Sequence, residues 1–228
     1  MAMVHEGMAQ HGLAVFAHEQ TSGKGQRDKQ WFTGKNQNIA LSIIITPQTL
    51  AAGHLFIFNM AIAVGVHHFF SQYAGEETKV KWPNDIYWRD RKAGGILIEN
   101  VLKGNQWKYA IVGIGLNINQ TTFAGLDNKA VSLRQITGKS YDTFLLAQRL
   151  CRHIDTCFRQ LLNDSDMIIS HYHRLLYKRN EIVTLKKNSH FFNALIKGVN
   201  TSGQLITEQN GQEIVYASGE VEWVIGNE

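Results

Sequence analysis

The stretch KWPNDIYWRDRKAGGILIEN, Lys81–Asn100, sets Lys, Trp, Pro, Asn and Asp side by side, adds a basic cluster, and closes on Gly-Gly and an apolar run. Proline occurs only twice in 228 residues, and Pro83 sits inside this knot. Its ring fixes φ and removes a donor, so Asn84 and Asp85 are expected at a rigid turn. Lys92 comes before Ala93-Gly94-Gly95, small residues that leave room beside an ammonium. A lysine entering a strand that borders a cavity can meet a carboxylate and a phosphate together, stabilising charge where it develops. Asp85 can bind magnesium or hold a cation, and Asn84 can bond a phosphate, a metal or a turn. A β-hairpin with a polar turn accounts for the same residues without any chemistry.

Working outward, the pattern alternates between strand and helix signals. Leu13–Glu19 and the β-branched run Asn38–Thr46 read as strands, the second one buried. From Gln48 to about Tyr73 apolar residues recur almost all round, which predicts a long buried helix. Thr78–Trp82, Ile86–Trp88, Gly95–Leu102 and Trp107–Ile118 follow as strands. Ala147, Leu150, Ile154, Cys157, Phe158 and Leu161 form one stripe of an amphipathic helix over Leu145–Leu162. Met167–Tyr177 reads as another helix, and Met3, Val4 and Met8 suggest a helical turn at the start. Beyond Lys178 short alternating strands with Gly or Asn at the turns predict a small β-barrel. The division expected is 1–177 and 178–228, an α+β domain followed by the barrel.

Two further polar segments stand out. QTSGKGQRDKQW, Gln20–Trp31, combines Gly23 and Gly25 with Lys24, Arg27 and Lys29. Such a loop can wrap an anion with N–H groups and cations. It lacks the spacing of a phosphate-binding Walker loop, and a surface loop with solvated charges has the same composition. GIGLNIN, Gly113–Asn119, is a strand end where two glycines allow close approach of another body and Asn117 offers both donor and acceptor, as an amide reading an adenine edge does.

Composition sets outer limits. The chain is 44% hydrophobic with a formal charge of +4, and its charges are spread rather than clustered, which does not favour a nucleic-acid surface. Cys151 and Cys157 have neither disulfide nor zinc spacing, which fits a reducing cytoplasm. Leu55–Val66 is too short to span a bilayer and contains Asn59. No signal pattern opens the chain. His67 and His68 are expected on a helix surface, and His171 and His173 on different helix faces.

Taken together, Gly23-Lys24-Gly25-Gln26-Arg27 ending in Trp31, Lys81-Trp82-Pro83-Asn84-Asp85, Lys92-Ala93-Gly94-Gly95-Ile96-Leu97 and Gly113-Ile114-Gly115-Leu116-Asn117 resemble the biotin protein ligase family. Lys-Trp-Pro-Asn-Asp is the most specific of these strings, and the resemblance runs over essentially the whole chain. It implies a catalytic domain of the class II synthetase-like type, a mixed sheet with helices, and a small Src-homology-3-like barrel. Lys24 and Gln26 stand where the family has arginines, so charge is kept at the first but bidentate phosphate geometry is lost at both. The family's Asp-Ser-Thr-Asn segment, which contacts biotin, has no counterpart in the sequence, so acid binding is expected to be the impaired half of the site.

The resemblance also implies a reaction, with ATP and biotin as substrates and magnesium beside them. Biotin would be activated as biotinyl-5'-AMP and then passed to a lysine of a biotin carboxyl carrier protein, the acceptor domain of acetyl-CoA carboxylase or another carboxylase. Lys92, Asp85, Lys81 and Asn84 are the implied catalytic residues, with Asp85 as the magnesium ligand. Gln20, Gly23, Lys24, Gly25, Gln26, Arg27, Lys92 and Gly95 would surround biotin. Lys24, Arg27, Trp31, Lys81, Asn84, Lys92 and Asn117 would meet ATP. A homodimer is compatible with this reading, while DNA and membrane binding are not supported. The rivals are a lipoate or octanoate ligase or transferase of the same fold, a ligand-binding transcriptional regulator, and an inactive biotin-binding module.

Overall fold

The computed structural model describes residues 8–20, 23–25, 30–31, 34–47, 50–104, 106–123, 126 and 129–225. The turn expected at Met3 and Val4, and Gln26, Arg27 and Lys29 with the roles expected of them, lie outside the described residues, as does the side chain of Lys24. Among the described residues the strands are β1 Ala14–Phe16, β2 Gly23–Lys24, β3 Gln30–Trp31, β4 Ile39–Ile45, β5 Thr78–Lys81, β6 Asp85–Trp88, β7 Arg91–Lys103 and β8 Gln106–Leu116, then β9 Ile182–Lys187, β10 His190–Val199, β11 Leu205–Gln209, β12 Gln212–Tyr216 and β13 Glu222–Trp223. The helices are α1 Leu55–Ala74, α2 Leu133–Thr137, α3 Thr143–Asn163 and α4 Ser165–Leu175.

Six strands form the larger sheet in the order β1-β4-β8-β7-β6-β5. Every neighbouring pair in it is antiparallel. Among the described residues parallel pairing is confined to two isolated bridges, Val80 with Leu176 and Lys92 with Ala130. β4 runs between β1 and β8 and six of its seven residues are buried, as the unbroken β-branched run predicts for a strand covered on both faces. β1 is shorter than the sequence suggests and lies at the sheet edge.

α1 is the hub of the core. Phe58, Met60, Ile62, Val64 and Val66 have no exposed surface. Phe58 meets Trp107 of β8 edge-on at 5.2 Å and Phe158 of α3 at 5.9 Å. By length and composition α1 could cross a membrane, yet its apolar girth is used up against the sheet, α3 and α4. It starts at Leu55 rather than Gln48 because the chain first makes tight turns, Leu50 N–H to Pro47 O and His54 N–H to Ala51 O. Asp142 and Asp164 cap α3 and α4 by accepting from Leu145 N and Met167 N, both at 2.9 Å. The α3 stripe is buried as its spacing predicts.

His67 corrects an expectation. It is buried, not on the helix surface, and its Nε2 is 2.8 Å from Thr78 O at the start of β5. Burial pulls its pKa down to about 4, and the charges of His68 and Lys79 add to the fall.

The second sheet has the order β12-β11-β10-β9-β13, again antiparallel throughout. It is tied to the first at the quoted motif. Trp82 Nε1 donates to Gly203 O at 2.9 Å, and Gly203, at φ +88°, leaves no room for a Cβ against the Phe56 ring of α1.

Candidate active site

The ladder registers place Ala40, Gly115, Gly95, Asp85 and Lys81 in one straight row across β4, β8, β7, β6 and β5. Partners across a ladder share a face. The row therefore lies on one side of the sheet, small in the middle and charged at one end. Gly113, Gly115 and Gly95 are partly exposed while Ile114, Leu116 and Ile96 between them are buried, so this side is the open one and the other faces the helices. The glycines make a floor without side chains.

Lys92 reaches this floor through an irregularity. Lys92 and Gly95 are three residues apart and would face opposite sides of a regular strand. The register slips between Ile86 and Tyr87: Gly94 pairs with Ile86 and Lys92 with Tyr87, which leaves Ala93 as the extra residue of a bulge. A bulge re-aims side chains. Here it brings Lys92 Nζ to 2.6 Å from Asp85 Oδ1. A Cβ on Gly95 would stand 3.3 Å from that Oδ1 and 3.5 Å from Nζ, so the glycine keeps the pair accessible. Lys92's main chain is gripped as well: its N–H donates to Lys129 O at 2.8 Å and its O accepts from Val131 N at 2.9 Å.

The other predicted residues take distinct places. Asn84 Nδ2 donates to Ile96 O across the hairpin, which makes Asn84 the brace of the turn. Asn117 is buried, and its Nδ2 faces Val131 O at 3.2 Å and Lys92 O at 3.4 Å. It holds the end of β8 to the lysine's main chain. Trp31 covers Gly115, and its Nε1 has no hydrogen-bond partner among the described residues. Gln20 lies over Gly23, with its Oε1 3.0 Å from where a Cβ would be. Gly25 is partly exposed. Lys81 sits between rings, 5.0 Å from the Tyr87 centroid and 5.4 Å from that of Trp223. Burial and the charge of Asp85 push the Tyr87 hydroxyl up, so it remains a neutral phenol.

Several contributors were not singled out from sequence. Ser132-x-x-Gln135 forms a reciprocal capping box at α2, Gln135 N to Ser132 Oγ at 3.2 Å and Ser132 N to Gln135 Oε1 at 3.0 Å. That spacing is a readable signal. It starts a helix whose first N–H groups, Leu133 N and Arg134 N, bond Asn117 O and Ile118 O. Asn38 Oδ1 accepts from Ile118 N at 2.9 Å, pinning the same strand end.

The sequence profile of the biotin/lipoate A/B protein ligase family matches residues 4–117, half of the chain. The chain belongs to this family. The bifunctional ligase/repressor BirA of Bacillus spizizenii is 32% identical over 159 residues, 68% of this chain and 47% of that protein. This chain thus spans about half the length of the first curated relatives it matches. The biotin--[acetyl-CoA-carboxylase] ligase of Mycobacterium tuberculosis is 25% identical, covering 92% of this chain and 78% of that one. Among solved structures, the biotin protein ligase from Aquifex aeolicus in complex with biotin and ATP superposes with a TM-score of 0.80 at 21% identity, over 96% of this chain and 91% of the other. The likeness establishes the biotin protein ligase fold for both sheets together.

The family's chemistry asks for a metal, and the geometry bears on where it would sit. Asp85 pairs through Oδ1 with Lys92 at 2.6 Å. No group of three or more His, Cys, Asp or Glu suited to a metal ion occurs among the described residues. Beside nucleotide phosphates magnesium needs only one or two protein carboxylates, and Asp85 would be the one to hold it here.

Proposed function

We propose that this family member is an ATP-dependent biotin protein ligase. One observation carries the reading: a lysine ammonium, fixed by a carboxylate at 2.6 Å, over a floor of glycines on the open face of the sheet. Relatives named as biotin ligases, that of Mycobacterium tuberculosis among them, support the substrate class.

A carboxylate does not acylate an amine at neutral pH, because oxide is too poor a leaving group. In the first step a biotin carboxylate oxygen attacks the α-phosphorus of ATP, the bond to the bridging oxygen breaks, and pyrophosphate leaves with the electron pair. Two anions must approach each other, and Lys92 is placed to neutralise the oxygen they come to share. Asp85 keeps that ammonium in position. Gly95 lets the mixed anhydride lie close to the backbone, while Gly115 seats the Trp31 ring. Trp31 offers its ring to the adenine, and Gln20 with Gly23 and Gly25 lies on the biotin side; Lys24, Gln26 and Arg27 belong to the same loop in sequence. In the second step the acceptor lysine's neutral amine attacks the acyl carbon, the C–O bond breaks as AMP leaves with the electron pair, the nitrogen gives up a proton to water, and an amide forms.

The acceptor we propose is the lysine of a biotin carboxyl carrier protein, with the catalytic part at 1–177 and the barrel at 178–228. A cytoplasmic setting suits two free thiols, and a homodimer is compatible with the fold. The family's breadth gives a second reading, a lipoate or octanoate ligase. Mass spectrometry of the chain with MgATP and biotin, lipoate or octanoate separates them. Biotinyl-AMP alone is the expected product; lipoyl-AMP alone transfers the proposal to the second reading, and no adenylate with any acid removes both.

A further inference from the structure

Lys81 closes the charged end of the row, opposite Asp85 in the ladder, and the ring 5.4 Å from its ammonium belongs to Trp223 of the second sheet. Tyr177, in the connection between the two sheets, completes the wall. Its ring lies 5.4 Å from Tyr87 and 5.7 Å from Trp223, and its hydroxyl donates to Asp90 Oδ1 at 2.6 Å. The Trp223 backbone is fixed too. It pairs with Leu185 of β9, and the next residue, Val224, donates its N–H to Thr184 O at 3.0 Å.

Aromatic faces attract an ammonium through the ring quadrupole, more strongly where water is excluded. A lysine side chain loses much rotamer freedom when it is held in one place. Two rings can add to that holding without cancelling any of the lysine's charge. Trp223 Nε1 has no hydrogen-bond partner among the described residues, so the ring face is what this residue presents to the site.

We propose that Trp223 is a positioning residue: through Lys81 the C-terminal sheet aims a cation at the polyphosphate of the nucleotide during adenylate formation. This rests on the ligase reading above and adds to it a residue outside every motif of the catalytic part.

The test is biotin-dependent ATP–pyrophosphate exchange by the unmodified chain, Trp223→Phe, Trp223→Leu, Lys81→Met and the Trp223→Leu/Lys81→Met double variant. Trp223→Leu is expected to lower kcat about tenfold, between the loss of an exposed cation–π contact and that of a fully desolvated one, with KM for biotin unchanged. Trp223→Phe should retain most of the activity, since it keeps a ring and gives up only an unpartnered N–H. The double variant should be no slower than Lys81→Met alone, because each change removes the same contact. Additive losses, or full activity in Trp223→Leu, overturn the proposal. Carbon–proton NMR of the unmodified chain gives a readout independent of turnover and of any variant's folding. The ε-methylene protons of Lys81 should be displaced upfield by ring currents, and resonances at free-lysine positions also overturn it. A chain with the upfield displacement but no exchange with any acid brings down the ligase reading, and the positioning role with it, while leaving the contact itself established.

Discussion

Trp31 of β3 lies against Gly115 of β8 so closely that a methyl group on the glycine would come within 2.6 Å of the indole. The glycine that keeps the floor flat is therefore also the seat of the ring proposed to meet the nucleotide. Gly115→Ala must push Trp31 away. We expect a folded protein, weakened by about 1–3 kcal/mol as overpacked sites usually are. Its affinity for ATP should fall about tenfold or more while biotin affinity changes less. Calorimetric titration with each ligand checks this; equal losses for both would place Trp31 elsewhere than on the nucleotide.

Lys92→Ala should slow biotinyl-AMP formation by ~10²–10³, the usual effect of losing one such electrostatic donor, with the far-UV spectrum unchanged. Asp85→Asn should cost less, since the ammonium remains but loses its anchor. Pyrophosphate release measures both. Near-normal release from Lys92→Ala would remove that lysine from the chemistry.

Gly94 has a different reason to be glycine. A Cβ there would run into Leu116 Cδ2 and come within 2.6 Å of Gly115 O, a backbone atom that cannot swing aside. Gly94→Ala should therefore destabilise the fold by about 1–3 kcal/mol or more, read as a lower urea midpoint, whereas Gly104→Ala, with open space at its Cβ, suffers only the strain of its φ of +57°. If the two variants unfold at the same urea concentration, the tight crossing of β7 and β8 is not what Gly94 supports.

His67 predicts a pH effect. Its folded pKa is about 4, below the ordinary histidine value of 6.5. Between those values the unfolded chain takes up a proton that the buried ring refuses, so stability is full above pH 6.5 and falls as pH drops toward 4. From the difference of the two values the loss is about 3 kcal/mol. His68 and His153, whose pKa values burial also lowers, act in the same direction. Urea midpoints between pH 7 and pH 4.5 should show the slope, and His67→Gln should flatten it. An unchanged slope in that variant would assign the effect to other groups.

What was legible in the sequence was whatever one element decides alone. The β-branched run of β4, the all-round apolar α1 and the stripe of α3 each carry a period that survives without knowledge of neighbours. What was not legible depends on a partner. His67 looks like a polar residue on a helix until Thr78 O is found beside it. Trp223 carries no signal until the second sheet closes against Lys81. Lys92 could be chosen as the reactive lysine from its small neighbours, but the slip that turns it toward Asp85 exists only in the pairing of β6 with β7. The capping box at Ser132 was the exception, a local signal present in the letters and passed over.

The bulge at Ala93 gives one apolar residue an authority over function that its side chain does not suggest. Ala93 is fully buried and contributes no charge to the floor. Yet were Ala93 taken into the ladder as an ordinary strand residue, the Lys92 ammonium would turn to the other side of the sheet, into the hydrophobic core. A chain so paired would still carry the lysine, the aspartate and the glycines of the floor. An inventory of residue types would pass it as intact, although the pairing that leaves Ala93 out is itself a determinant of the site.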